Sequence, residues 1–175
     1  MAPGVRLVQK VSSTRAFVRV APHVIPAMDR TVHRLTRGKV LLSARMLPGL
    51  ILTVPGARSG RLRTTPLACM PENETDGTEG TEGGGAGQSW ILVGSNFGRT
   101  GHPAWTANLL AGPGKAVVNW RGQDIPVRAT LLEGAERDAV WQTALKFWPP
   151  YAAYQARIER EIRLFRLERR EEPAA

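Results

Sequence analysis

The chain has 175 residues, of which 42% are hydrophobic, with a formal charge of +9 and a single cysteine, Cys69. This length suits one compact domain, and one cysteine excludes a disulfide within the chain, which fits a reducing cytoplasm. The three histidines are scattered, so we expect no zinc site. The excess of positive charge indicates an acidic partner: nucleic acid, an anionic membrane surface or a charged small molecule.

The first quarter of the chain holds most of this charge. Residues 1–48 contain nine Lys or Arg residues and one acid, Asp29. Valines at broken helical spacing, interrupted by prolines, predict a basic N-terminal arm or helical extension. Such a segment can lie on the inner face of the cell membrane, or it can pack its valines on its own core. We expect no nucleic-acid partner, because aromatic side chains do not alternate with these arginines.

From Leu50 onward, short apolar runs bounded by Gly and Pro predict strands. These runs are "LILTV", "TTPLACM", "SWILVGS", "AVVNW", "DIPVRATLLE" and, near the end, "IRLFRL". Helices are predicted for "HPAWTANLLAGPG", "AERDAVWQTALKFW" and "YAAYQARIERE". The fold class is therefore α+β, with a small, mostly antiparallel sheet or barrel and flanking helices.

Two segments fall outside this pattern. Residues 72–89 contain five acids, no base and a low-complexity Gly/Thr/Glu composition, which predicts a disordered acidic hairpin tip. Residues 169–175 are predicted to form a C-terminal tail. The domain itself then extends over residues 49–168.

The stretch "PGARSGRLRTTPL" joins the first two predicted strands. Glycines permit a close backbone approach, and Arg58, Ser59 and Arg63 can bond phosphate or carboxylate oxygens around Gly60. The Gly-Lys-Ser/Thr ending of a Walker loop is missing. A solvated hairpin turn and an anion site both account for these residues.

Two further segments are candidate site elements. In "VGSNFGRTGHPAWTANL", Ser95 and Asn96 end a strand and precede a helix, an arrangement that suits either a polar ligand or a simple connection. In "FWPPYAAYQ", Tyr151 and Tyr154 share a helix face with Trp148 nearby, as either core residues or the wall of a ligand site.

Taken together, three stretches resemble the deazaflavin (coenzyme F420)-dependent nitroreductase family of actinobacterial split-barrel oxidoreductases. They are "LTVPGARSGRLRTTPL", "VGSNFGRTGHPAWTANLLAGP" and "WPPYAAYQARIEREIRLFRLE". The resemblance follows the chain in order over roughly residues 49–168. It implies a split β-barrel and an F420H2-dependent reductase that transfers a hydride to a quinone, an enone, an activated alkene or a nitro compound.

The resemblance also implies a distribution of roles. Coenzyme F420 carries a planar redox ring on a phosphate and oligoglutamate tail. The tail would be held by Arg58, Ser59, Gly60 and Arg63. The cofactor groove and ring would meet Pro66, Leu67, Val93, Ser95 and Asn96, with Trp105 and Asn108 closing the site. Tyr151 would donate or orient a proton, with solvent as the alternative donor, and Ala68, Trp148 and Tyr154 would face the substrate.

Three departures from the family pattern accompany these roles. Ala57 stands where the family has the first of two bases, Asn96-Phe97 replaces Lys-Gly, and Ala68 stands where some nitroreducing members have an aromatic residue. Two other readings stay open at this point. One is an FMN-binding split barrel, and the other is a non-catalytic basic module that binds a membrane surface. The oligomeric state is left undetermined.

Overall fold

The computed structural model describes residues 47–72 and 88–170. Within them, six strands form a closed antiparallel barrel in the order β1-β2-β3-β6-β5-β4. The strands are β1 (Gly49–Pro55), β2 (Leu62–Glu72), β3 (Ser89–Val93), β4 (Ala116–Trp120), β5 (Gln123–Leu131) and β6 (Leu164–Arg169). The barrel closes where β4 pairs with β1, from Ile51 opposite Asn119 to Thr53 opposite Val117. The predicted α+β split-barrel class is confirmed.

Three α-helices flank the barrel in the described part of the chain. They are α1 (Ala104–Ala111), α2 (Gly134–Phe147) and α3 (Pro150–Gln155), and a short 3-10 turn spans Asn96–Gly98. The third helix is shorter than the predicted stretch through residue 161. Gln155 explains the early end, because its side-chain Nε2 donates to the carbonyl of Arg160 at 2.9 Å and its Oε1 accepts from the N–H of Ile162 at 3.0 Å. These bonds satisfy backbone groups of the irregular segment after α3, which therefore needs no helical hydrogen bonds there.

Two apolar clusters fill the structure. One lies inside the barrel and includes Trp90, Leu92 and Phe165. The second packs the outside of the barrel against α2 and α3, and includes Ile91 and Leu164. Strand β3 therefore buries both of its faces, which explains why "SWILV" reads as a continuous apolar run rather than an alternating one.

The predicted flanking segments fall mostly outside the described residues. The N-terminal extension lies there except for its last two residues, and its proposed contact with a membrane stays a prediction. The acidic tip lies there except for its ends, where Glu72 pairs with Ser89 in the sheet. Strand β6 continues through Arg169, just past the predicted boundary at 168. No helix in the described ranges is long and apolar enough to cross a bilayer.

Candidate active site

The connection between β1 and β2, residues 56–61, is called the basic turn below. Its backbone closes through hydrogen bonds of 2.8 Å from Gly60 N–H to the Gly56 carbonyl and from Gly56 N–H to the Arg61 carbonyl. Gly60 has a φ of +64°, a conformation that glycine adopts without steric cost. A Cβ on Gly56 would lie 2.9 Å from Oγ of Ser59, so a larger residue would disturb the turn. The backbone conformation thus favours glycine at position 60, whereas at position 56 the constraint comes from the packing of Ser59 and the Arg61 carbonyl.

The cations of the basic turn and the start of β2 face solvent. Arg58, Arg61 and Arg63 are all exposed, and Ser59 is exposed between them. Among the ion pairs of the described residues, none involves Arg58 or Arg63. Charge-assisted hydrogen bonds from such groups to phosphate or carboxylate oxygens are the strongest that this surface can offer. The arrangement is suited to an anionic ligand.

Helix α1 anchors this turn. Oδ1 of Asn108 accepts a 2.9 Å hydrogen bond from the backbone N–H of Ala57. The same helix contacts the end of β3, where a Cβ on Gly94 would lie 3.1 Å from Cγ2 of Thr106. Helix α1 therefore connects the basic turn to the segment that follows β3.

That segment, residues 94–103, is called the β3–α1 loop. It contains three consecutive residues with positive φ: Asn96 at 48°, Phe97 at 55° and Gly98 at 75°. Nδ2 of Asn96 donates to the carbonyl of Gly101 at 2.8 Å, which holds the loop in a compact form. Left-handed conformations are rare for residues with a side chain, and they persist only where surrounding contacts hold them.

The β3–α1 loop is seated on helix α3. A Cβ on Gly98 would lie 3.0 Å from Cα of Tyr154, and the rings of Phe97 and Tyr154 meet edge to face with centroids 6.2 Å apart. Ser95 and Asn96, both predicted to meet the cofactor ring, are therefore brought next to the predicted tyrosine pair.

The three aromatic residues predicted around the substrate lie together in the second apolar cluster. Tyr151 stacks on Trp141 and meets Tyr154 edge to face, with both centroid distances 6.2 Å. Tyr151 is only 6% exposed, and burial, followed by the fields of Tyr154 and Cys69, raises the pKa of its phenol well above the ordinary value. Its hydroxyl is therefore neutral across the physiological range, which suits a hydrogen-bond donor better than an acid that gives up its proton.

The other predicted residues lie on β2, β3 and α1. Pro66 and Leu67 are half-buried in β2, opposite Ile51 and Leu50 of β1, and Ala68 is exposed beside them. Val93 is half-buried at the end of β3.

Trp105 is 6% exposed and packs edge to face on Phe165, inside the barrel cluster. Its position fixes α1 against the barrel. Its contact with a cofactor, like the roles of the other site residues, stays a prediction.

Sequence reasoning missed Arg160. Its guanidinium donates to backbone carbonyls of the β3–α1 loop, including Ser95 at 3.1 Å and Arg99 at 3.0 Å. Nothing in the local pattern around residue 160 distinguishes it from the other arginines nearby, because its partners lie more than 60 residues earlier in the chain. Arg160 also lies 3.3 Å from Nδ1 of His102, whose pKa is lowered by partial desolvation and by the charges of Arg163 and Arg160.

The closed barrel, with its exposed basic turn and the neighbouring cluster of Trp148, Tyr151 and Tyr154, defines an α+β split-barrel protein. Comparison with known protein families shows to which family of split-barrel proteins the chain belongs. Residues 27–169 match the model of the F420H(2)-dependent quinone reductase family, and the chain belongs to that family.

Solved structures that are similar to this chain include the following two. One, described as a domain-swapped dimer, has 30% sequence identity, covers 79% of this chain and 95% of its own, and superposes with a TM-score of 0.58. The other, an F420-H2 dependent reductase (FDR-A), has 33% identity, covers 69% of this chain and 94% of its own, and has a TM-score of 0.56.

Family membership makes the protein a deazaflavin-dependent oxidoreductase with coenzyme F420 as its cofactor. The predicted enzyme class is confirmed, and neither FMN nor a purely non-catalytic module is needed to account for the barrel. The residues present suit this cofactor, since Gly60 leaves open space where a Cβ would stand and exposed arginines surround it. An exposed, positively charged surface of this kind favours an anionic tail.

Proposed function

We propose that this F420H2-dependent reductase acts on quinones, with enones and other activated alkenes as secondary acceptors. The observation that carries the proposal is the match of residues 27–169 to a family of quinone reductases. Trp148, Tyr151 and Tyr154 are compatible with it, because their buried cluster lies beside the β3–α1 loop, where the proposal puts the cofactor ring. Nitro compounds are a weaker candidate, since Ala68 offers a small, exposed side chain in place of an aromatic contact.

In this proposal the chain divides the cofactor between two surfaces. Arg58, Ser59, Gly60 and Arg63 of β2 and the basic turn hold the phosphate and the acidic tail. Ser95 and Asn96 of the β3–α1 loop, with Val93, meet the ring. Reduced F420, when bound, supplies a hydride to the acceptor.

In this proposal Tyr151 orients the acceptor and does not transfer a proton to it. Its buried phenol stays protonated, because burial raises its pKa. It therefore donates a hydrogen bond to a quinone oxygen, and that bond strengthens as negative charge develops on the oxygen. Solvent then supplies the proton that completes the reduction.

The test is a comparison of acceptors. Purified protein is mixed with F420H2 and either menadione, cyclohexenone or a nitroaromatic compound, and the reappearance of oxidised F420 is followed by fluorescence. We expect menadione to give the largest kcat/KM. Efficient turnover of cyclohexenone together with inert menadione would assign the protein to alkene reduction instead. A control with FMN and NADPH in place of F420H2 should give no turnover.

A cytoplasmic location follows from the same proposal, because the single cysteine and the redox cofactor both suit a reducing compartment. Contact of residues 1–48 with an anionic membrane would bring the enzyme close to lipophilic quinones. Sedimentation with vesicles that contain anionic lipid, compared with neutral vesicles, tests this contact, and salt should weaken it.

A further inference from the structure

Arg160 makes an unusual set of contacts for a side chain in an irregular segment. It lies between α3 and β6, and its guanidinium reaches both ends of the β3–α1 loop. Nε donates to the carbonyl of Thr100 at 3.0 Å, Nη1 to that of Gly94 at 3.4 Å, and Nη2 to those of Ser95 at 3.1 Å and Arg99 at 3.0 Å. Nη1 also lies 3.3 Å from Nδ1 of His102, which accepts this bond when Nδ1 is unprotonated.

All of these acceptors are uncharged. The planar guanidinium has five N–H groups in a fixed geometry. Here its backbone hydrogen bonds all go to the carbonyls of a single loop. A lysine ammonium has three donors on one atom and cannot span acceptors at both ends of the loop. The contacts therefore depend on the shape of arginine and not only on its charge.

The loop needs this support. Asn96 and Phe97 both have left-handed backbone conformations, which residues with side chains avoid in the absence of fixed surroundings. Within the loop, Gly98 N–H donates to Ser95 at 3.0 Å, Arg99 N–H to Asn96 at 3.1 Å and Nδ2 of Asn96 to Gly101 at 2.8 Å. Arg160 adds hydrogen bonds to four carbonyls of the loop from outside it.

The backbone of Arg160 is fixed in turn from helix α3. Nε2 of Gln155, the residue that follows Tyr154, donates to the carbonyl of Arg160 at 2.9 Å. Gly98 rests directly on the backbone of Tyr154. The β3–α1 loop and the tyrosine-bearing helix are thus joined by one side chain and one close backbone contact.

We propose that Arg160 is a positioning residue of the active site, which sets Ser95 and Asn96 at a fixed place relative to Tyr151 and Tyr154. The inference rests on the proposed function, because that function puts the cofactor ring against Ser95 and Asn96 and the acceptor against Tyr151. The hydrogen bonds of Arg160 go to the loop, so Arg160 acts through the loop, and its loss should disturb the binding of the cofactor and of the acceptor together.

The first part of the test uses the protein without cofactor. Hydrogen exchange is measured at the amides of Gly98 and Arg99 in Arg160→Ala, Arg160→Lys and the control Arg128→Ala, which removes an exposed arginine from β5. We expect protection of both amides to fall about tenfold or more in Arg160→Ala, because several charge-assisted bonds are lost. Arg160→Lys should lose most of this protection, whereas Arg128→Ala and the amides of β3 should stay unchanged.

The second part measures the binding of oxidised F420 by fluorescence and the rate of hydride transfer to menadione at saturating F420H2. In Arg160→Ala we expect the Kd to rise about tenfold and the rate to fall, and guanidinium ion added below denaturing concentration should restore part of both. Arg160→Lys keeps the charge and guards against a misfolded alanine variant, and it should still bind several times more weakly than the wild type.

The outcomes separate the two proposals. If the wild type binds F420 but does not reduce menadione, the proposed acceptor fails, and the exchange and binding data still decide the role of Arg160. Protected loop amides in both Arg160 variants would overturn the positioning role. The role would also be overturned if the loop amides of Arg160→Ala lost their protection while the F420 affinity and the hydride-transfer rate stayed unchanged. The order that Arg160 gives the loop would then serve stability alone.

Discussion

Asn108 in helix α1 and Ala57 in the basic turn are joined by a hydrogen bond although 51 residues separate them in the chain. The oxygen of the Asn108 side chain accepts the N–H of Ala57 at 2.9 Å, so the helix holds the turn from the side. Asn108, itself predicted to touch the cofactor, therefore also holds the turn that carries arginines predicted to bind the cofactor tail.

We predict that Asn108→Ala loosens the basic turn. Loss of this exposed hydrogen bond should cost about 1 kcal/mol, and exchange of the Ala57 amide should accelerate about fivefold. Asn108→Asp keeps an acceptor oxygen and should retain protection of that amide. Its added negative charge should nevertheless weaken F420 binding. Equal exchange in all three proteins would show that the turn holds its shape without the helix.

The charges of Arg58 and Arg63 should govern the affinity for the cofactor tail. Both side chains are exposed, so each alanine substitution should weaken F420 binding by about 1 kcal/mol, or roughly fivefold, with the effect reduced by added salt. Melting temperatures should be unchanged. Fluorescence titration at two salt concentrations measures this, with Arg128→Ala as the matched control. Wild-type affinity in both variants would mean that the turn is only a solvated hairpin.

Gly98→Ala should destabilise the protein far more than Gly101→Ala. Gly98 has a φ of +75°, and its new Cβ would lie 3.0 Å from Cα and 3.1 Å from the carbonyl oxygen of Tyr154. Strain and crowding against backbone should cost about 2 kcal/mol or more. Gly101 has no atom within 4 Å of a Cβ, so it serves as the control. Thermal unfolding of both variants is the measurement, and equal melting temperatures would contradict the packing of the loop on Tyr154.

Tyr151→Phe should lower kcat with menadione about tenfold or more while leaving F420 affinity nearly unchanged, because it removes one hydrogen-bond donor and little packing. An unchanged kcat would remove Tyr151 from the reaction.

The same tyrosine gives a dependence on pH. The pKa of Tyr151 is raised in the folded protein, so the folded state holds this proton more tightly than the unfolded state does. Its contribution to stability is therefore complete below about pH 10, the ordinary tyrosine pKa, and is lost as the pH rises above it. The chain has two tyrosines, so spectrophotometric titration of Tyr151→Phe isolates Tyr154. The high-pH loss of stability should be smaller in this variant.

The local patterns of the sequence were sufficient for the barrel strands, because apolar runs bounded by glycine and proline report burial directly. "AVVNW" and "SWILVGS" contain β4 and β3. The third helix was predicted too long, since "ARIERE" has good helical composition but Gln155 satisfies its backbone instead. Local propensity carries no information about such a competing bond.

In the candidate site, too, features formed by neighbouring residues could be predicted from the sequence, and contacts between distant residues could not. The glycines of the basic turn and the tyrosine pair are visible in sequence because their chemistry is concentrated in a few neighbouring residues. Arg160 and the Asn108 anchor are not, because each acts on a segment more than 50 residues away. Contacts at that distance follow from the closure of the barrel and the return of the chain through α3.

The pairing of Glu72 with Ser89 has a consequence for the length of chain that this family can accept between these two residues. Oγ of Ser89 donates to Oε2 of Glu72 at 2.9 Å, and Arg166 of β6 bonds the same carboxylate at 2.8 Å, so the ends of β2 and β3 are fastened by the barrel itself. Closing a loop costs little more as it lengthens. Insertions and deletions between these two residues should therefore accumulate in related genes without disturbing the enzyme, and a label could be carried there.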